Sequence, residues 1–521
     1  MKFTMELQPT VTSKGSQTAS KILDKRRHRE LFLFVAIFVG LLCLVPGLVI
    51  GGNTVGFSVV LALPVILVIT ALVVRWPILG FFLILSCALI VDQSPLALLG
   101  KGPVIYIFYW PNSVSSIPDR PIGLFMLFIL LVLTIHGLLK RQKLFEGGEL
   151  LIPFLFFFAC VIWGIVHGLT TGGNLQIITQ EVRSFWYLLL GYLLAYNFVR
   201  KKQHLRSVFW IVIFSAGIKA LVGVYIVVFV IHGDLADNHE IMSHEESFFW
   251  ISVLLLIVLF SLHYKYRPQL YTALALLPII LISLVANNRR ADYVALLVGI
   301  LVAWALIFMV KPHKRKFLVV LLLITSVLLG AYVAVFFKSQ GGIGSPAHAI
   351  VSVFHPDPTE AASNLYRDYE DFDLKYTLKL NPMGLGFGKP FLEPKLLPDL
   401  SALDPVYNLI PHNSILWVLM RLGPIGYLAL WYLFGMIIVR GVIITRQLKD
   451  KYMQLVAIYV VCMVIMEIMV AYADYQLSFY RNVIYIGILA GILMKLPKID
   501  EIDEIDEKKK SIAYELTSPI S

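Results

Sequence analysis

Two adjacent arginines, Arg289 and Arg290, follow Asn287-Asn288 between two apolar stretches. A guanidinium is a planar fork that grips phosphate through parallel hydrogen bonds. Such a pair suits an anionic ligand; the plainer alternative is two side chains snorkelling to lipid headgroups. Arg183 stands in Glu181-Val182-Arg183-Ser184-Phe185-Trp186-Tyr187, where another apolar stretch begins. The helix dipole disfavours a cation at a helix start. A partner is therefore expected, either a phosphate or Glu181. Pro411-His412-Asn413-Ser414-Ile415-Leu416-Trp417 supplies a histidine. With a pKa of ~6.5 an imidazole can take a proton from a hydroxyl at neutral pH; otherwise His412 caps or packs. Asn413 suits a helix start, and Gly423-Pro424 should break the helix that 412–422 begins. Arg421 precedes that break. Lys219 lies midway along an apolar stretch, where a charge is costly and marks a functional site by default. It would face a phosphate in a cavity or pair with Glu467.

A long polar segment, 338–411, holds the remaining candidates. Ser363-Asn364-Leu365-Tyr366-Arg367-Asp368-Tyr369-Glu370-Asp371-Phe372-Asp373-Leu374 mixes aromatics and acids, as a carbohydrate-facing surface or a helix with a solvated acidic face would. Asp371-Phe372-Asp373 has the spacing of a metal-binding acid pair for nucleotide sugars, which belong on the opposite side of the membrane. Gly384-Leu385-Gly386-Phe387-Gly388 places glycines at alternate positions, suited to a tight turn and close backbone approach. It is no dinucleotide fingerprint, because no βαβ unit surrounds it. No HExxH or comparable spacing marks a metal site.

The elements that must hold these residues are membrane helices. The 521 residues are 58% hydrophobic and 15% charged, against about 25% charged in soluble domains. Stretches of ~20 apolar residues suffice to cross a bilayer, and they recur. Spans are expected near 31–50, 57–74, 77–92, 121–139, 150–168, 184–199, 207–231, 247–263, 270–286, 292–310, 317–337, 423–444, 452–472 and 482–496, about fourteen in all. The fold class is all-α, a polytopic transmembrane bundle with a large non-cytoplasmic loop between spans 11 and 12. A cytoplasmic tail, 1–30, precedes eleven spans in 31–337. The loop 338–411 follows, then an interfacial helix and three spans in 412–496, then a cytoplasmic tail, 497–521. The first apolar segment reads as an uncleaved anchor.

Lysine and arginine set the sides. With the N-terminus inside, the inner segments carry 30 of the 44, the outer segments 13, and Lys219 lies within a span. Both termini are then cytoplasmic, and His412, Arg183, Arg289 and Arg290 are all outside. The net charge of +11 follows this sidedness and implies no nucleic acid. Cys43, Cys87, Cys160 and Cys462 all fall in apolar stretches, with no disulfide or metal spacing. The Ile-Asp-Glu repeat from Ile499 to Glu507 reads as a solvated extension.

Taken together, these segments resemble the O-antigen ligase and O-antigen polymerase superfamily of bacterial membrane enzymes. Three stretches carry the likeness: Arg289-Arg290-Ala291 before an apolar span; Gly384-Leu385-Gly386-Phe387-Gly388 late in the loop; and His412-Asn413-Ser414-Ile415-Leu416 with Leu422-Gly423-Pro424-Ile425-Gly426. The resemblance covers about 280–435. It implies a glycosyltransferase of the bacterial inner membrane, without metal or other cofactor. The donor would be an undecaprenyl-diphosphate-linked glycan, and the acceptor a glycan or lipid-linked chain. Chain-length regulator or flippase partners would accompany it. Arg289 or Arg290 would neutralise the departing diphosphate, and His412 would serve as base or orient the acceptor. Arg183 would be a second phosphate contact and Asn413 would orient His412 or the sugar. Tyr366, Arg367, Lys219 and Arg421 complete the expected substrate-binding set. Arg421 stands where many relatives carry an acid. Two other classes compete. A transporter or lipid flippase would put polar residues mid-membrane and show repeat symmetry. A peptidoglycan glycosyltransferase would share the lipid-diphosphate chemistry.

Overall fold

The computed structural model describes residues 67–92, 120–139, 146–234, 241–339, 344–352, 355–356, 358–397 and 409–517. The expected span 31–50, the tail 1–30, most of 57–74 and loop residues 398–408 lie outside the described residues. Every described regular element is helical. In chain order they are α1 (Pro77–Ile90), α2 (Pro121–Leu139), α3 (Leu151–Thr170), α4 (Leu175–Phe198), α5 (Lys202–Tyr225), α6 (His244–Leu262) and α7 (Arg267–Asn287). Then come α8 (Arg290–Val310), α9 (Arg315–Phe336), α10 (Ser345–Ser352), α11 (Pro358–Leu380), α12 (Ser414–Gln447), α13 (Lys451–Ala473) and α14 (Tyr480–Thr517).

Each expected span that falls wholly on described residues coincides with one of these helices. Among them, ten are long and apolar enough to cross a membrane: α2, α3, α5 to α9 and α12 to α14. In hydrocarbon the backbone must satisfy its own hydrogen bonds, which a helix does within one segment. α1 is shorter, at 14 residues. α4 is longer than the span expected over 184–199. It starts in polar residues, where the Asn174 side chain accepts from the backbone of Gln176 and Ile177.

α4 and α14 form the centre, packed through small residues as membrane helices do. A Cβ on Gly487 would come within 2.3 Å of the Leu188 carbonyl oxygen, and one on Gly491 within 2.4 Å of that of Tyr192. α13 and α14 are the most enclosed spans, whereas α9 is almost wholly exposed.

The segments that charge counting puts on one side meet at one end of the bundle. Lys495 and Lys498 both reach Glu146 at 2.9 Å. Lys202 pairs with Asp450, Arg440 with Glu149, and the backbone N–H of Lys449 donates to Asp500 at 2.8 Å. The repeat expected as a solvated extension continues α14 as helix, with Glu501, Ile502 and Ile505 exposed. Ile499 is buried there, and Glu504 pairs with Lys449 at 2.7 Å.

Candidate functional site

At the other end, the glycine-rich turn forms a clasp. Gly384, Gly386 and Gly388 all have positive φ, from 77° to 94°. Gly384 lies against Gly423 and Gly386 against Gly168; an added Cβ would sit 2.6 Å from a backbone nitrogen in each case. The close approach expected from the sequence is therefore present. Gly423 itself (φ 66°, ψ −174°) breaks α12 where the break was expected. Glu181 and Arg421 hold the clasp. Glu181 Oε1 pairs with Arg421 at 2.5 Å, and the Gly388 N–H donates to its other oxygen at 2.6 Å. Arg421 also donates to the carbonyls of Gly386, Lys389 and Leu409. Two expectations change here. Arg421 is 1% exposed and committed to the protein, so it is positioned to fix the loop rather than to touch substrate. Glu181 partners Arg421, not Arg183.

Arg183 instead donates to the Tyr480 hydroxyl at 2.9 Å. It lines a shallow groove of about 240 Å³ with Ile165, Leu175, Ile178, Val182 and Trp186. Lys219 does not meet Glu467. It pairs with Asp92 at 2.6 Å and Glu246 at 3.2 Å. Arg481 joins this group through Glu245, Glu246 and Asp92, and donates to the carbonyls of Ala88 and Leu89. Those carbonyls end α1, so Arg481 satisfies a helix terminus inside the bundle. Lys219 thus belongs to a structural charge cluster.

The remaining candidates converge. Asn413 caps α12, its side chain accepting from the Leu416 N–H at 3.0 Å. α11 lies over that start. The Glu370 carboxylate accepts the His412 backbone N–H at 2.9 Å and faces His412 Nδ1 at 3.0 Å. Asn413 Nδ2 donates to Asp371 at 3.2 Å. Asp373 turns away to accept the Lys395 N–H at 3.0 Å. The Asp371–Asp373 spacing therefore makes no shared metal site. Among the described residues, no group of three or more His, Cys, Asp or Glu is arranged to hold a metal.

Asp474, just past α13, is the hub. His244 Nδ1 lies 2.5 Å from its carboxylate, and Gln476 Nε2 donates to the same oxygen at 3.1 Å. Burial pushes the Asp474 carboxyl up, but His244, Arg289 and His412 outweigh it and hold it below the usual carboxylate range. The Tyr475 ring stands between the two histidines, its centroid 5.7 Å from each. The Tyr366 ring lies 5.6 Å from His412 on its other side. Burial lowers the Arg367 pKa, Asp474 opposes that, and the like charges of Arg290 and Arg289 lower it further.

Asn288 in the left-handed region (φ 45°) turns the chain into α8 and places the arginine pair. Asn287 is buried, accepting the Met242 N–H and donating to Ser247 Oγ, both at 2.9 Å. It thereby pins the segment that carries His244. Arg289, Arg290, Arg367, Tyr366, His412 and Asn413 are thus linked through Asp474 and the acids of α11; Lys219 and Arg421 are taken up by other partners, and Arg183 lines its groove. Sequence reading missed His244, Asp474 and Glu370. The acid in the short polar break Asp474-Tyr475-Gln476 was the one available signal.

Searches against family models and against curated proteins return no match to this chain. The fold and the site define a multi-pass helical membrane protein with a cluster of charged and aromatic side chains, Arg289, Arg290 and Arg367 among them, at one end of its bundle.

Proposed function

We propose that this chain is a membrane glycosyltransferase that polymerises or ligates surface polysaccharide from an undecaprenyl-diphosphate carrier on the periplasmic face. The observation that carries this reading is that Arg289 and Arg367 both bear on the buried Asp474 carboxylate, with Arg290 bearing on Arg367, beside a histidine paired with its own carboxylate. Like charges repel at close range, so such a cluster favours a polyanion that all three can share. A lipid-linked diphosphate is that kind of ligand.

In the reaction, the acceptor hydroxyl oxygen bonds to the anomeric carbon of the donor sugar. The bond from that carbon to the diphosphate oxygen breaks, and the diphosphate departs on its lipid. Arg289 and Arg290 meet the negative charge that develops there. Removing one such contact costs on the order of 10²–10³ in rate. His412 takes the hydroxyl proton. Glu370, at its Nδ1, fixes the ring and steadies the imidazolium, as a carboxylate does for a catalytic histidine. Asn413 and Tyr366 border the acceptor side. Arg183, at the end of its apolar groove, contacts phosphate with the isoprenoid chain along the groove. The Lys- and Arg-rich end of the bundle is cytoplasmic in this reading, with both termini there.

The test is transfer of a labelled glycan from lipid diphosphate by purified protein. The His412→Ala and Arg289→Ala variants should lose it while still folding. Unchanged chain length and attachment of surface glycan in cells carrying either variant would refute the residue roles. Substrate movement across liposomes without transfer would refute the enzyme reading.

A further inference from the structure

Loop helix α11 has three faces rather than two. Tyr366, Glu370, Asp373, Leu374 and Thr377 point to the protein; the last four are buried. At ~100° per residue, roughly a third of a turn round, lie Leu365, Tyr369, Phe372, Tyr376 and Leu380. All five are 37–55% exposed. The remaining third carries Asp368, Lys375 and Lys379, exposed and charged. A loop helix surrounded by water needs only a protein face and a polar face. A third, continuous face of leucine, tyrosine and phenylalanine meets something else.

Its position says what. Mid-helix, Glu370 and Asp371 bond to His412 and Asn413 at the start of α12. Just past its end, Gly384 and Gly386 lie against Gly423 and Gly168, near the ends of the spans α12 and α3. The helix therefore runs along the end of the bundle instead of rising from it. Bundle, hydrocarbon edge and water meet there. Tyrosine and phenylalanine with leucine are the residues that settle at that boundary. Lys395 reaches over the rings of Tyr369 and Phe372 at 5.6 and 5.9 Å, with a cation available for headgroup phosphate.

We infer that the Leu365–Tyr369–Phe372–Tyr376–Leu380 face of α11 rests in the interfacial layer of the bilayer, with Lys395 at the headgroups. The loop is thereby anchored to lipid as well as to protein, which holds Arg367 and Glu370 at the level of the bilayer surface. The inference rests on the chain being a membrane protein and not on the transfer reaction. A negative transfer assay does not bear on it.

The experiment uses the full chain in lipid nanodiscs containing anionic lipid, in a background whose four cysteines are replaced by alanine. An environment-sensitive fluorophore is attached at Phe372→Cys, at Lys375→Cys and, as a second reporter of the apolar face, at Tyr376→Cys. Nitroxide-bearing lipid should quench the 372 and 376 labels several-fold more than aqueous iodide does, with the reverse at 375. Iodide quenching at 372 and 376 equal to that at 375 would overturn the inference, since the face would then be in water. Protection from both quenchers would also overturn it, because protein or glycan would then cover the face.

Discussion

Two groups of arginines lie within the same end of this bundle and are handled in opposite ways. Arg421 and Arg481 are almost completely buried, and each is matched to acidic side chains and backbone carbonyls. Arg289, Arg290 and Arg367 are brought near one another, and burial, with the like charges of the first two, depresses the third. A buried cation that is matched inside the protein fastens elements together. Cations gathered near one another suit an anionic ligand, the role proposed for the second group. The first group ties α1 and the glycine clasp to the bundle; of the second, Arg289 joins His244 and His412 about Asp474.

That contrast can be broken experimentally. The largest effect should come from Arg481→Ala, which strands Glu245, leaves Glu246 and Asp92 to Lys219 alone and frees the carbonyls that end α1. Removing one partner of a buried pair costs about 3–5 kcal/mol, so purified protein should show a clear loss of thermal stability. Arg289→Ala removes one of several cations about Asp474, so it should lower the melting temperature far less than Arg481→Ala and lower transfer by on the order of 10²–10³. If both variants lose stability alike, the two groups are not different in kind.

The Arg421–Glu181 pair sharpens the point. Arg421→Met alone leaves the buried Glu181 without its cation, while Arg421→Met with Glu181→Gln removes both members of the pair. The double variant should recover much of the stability lost by the single one, read from thermal melts in detergent. Gly386→Ala is smaller in size but specific in cause. Its φ of 77° and a Cβ contact of 2.6 Å with the Gly168 nitrogen should cost about 1–3 kcal/mol. Loosening of the loop would appear as faster hydrogen exchange over 381–397.

The smallest effect concerns pH. The folded-state pKa of Asp474 is depressed, so its contribution to stability is fully present above the ordinary carboxylate range. It is lost only as pH falls through the depressed folded value. Between roughly pH 5 and 7 this group should add no pH dependence to stability. Asp474→Asn should lower stability throughout that window, measured by thermal melts against pH.

Much of this was legible in the residues. Lysine and arginine asymmetry grouped the loops that the fold brings together at each end. The alternating glycines announced a backbone contact, because only a residue without Cβ permits it. Gly423-Pro424 announced the break in α12. Arg289, Arg290 and His412 were marked by residue type and place; Arg289 and His412 bear on Asp474, and Arg290 bears on Arg367. Local spacing could not say who pairs with whom. Lys219 meets Asp92 and Glu246 rather than Glu467, Glu181 meets Arg421 rather than Arg183, and His244 meets Asp474 across 230 residues. Membrane spans are apolar all round, so their periodicity does not say which side of each faces its neighbours. The sequence alone determined the helices, the grouping of their loops by charge and the residues worth watching. Only the packing of α4, α13 and α14 against their neighbours decided which charges cancel and which are left together.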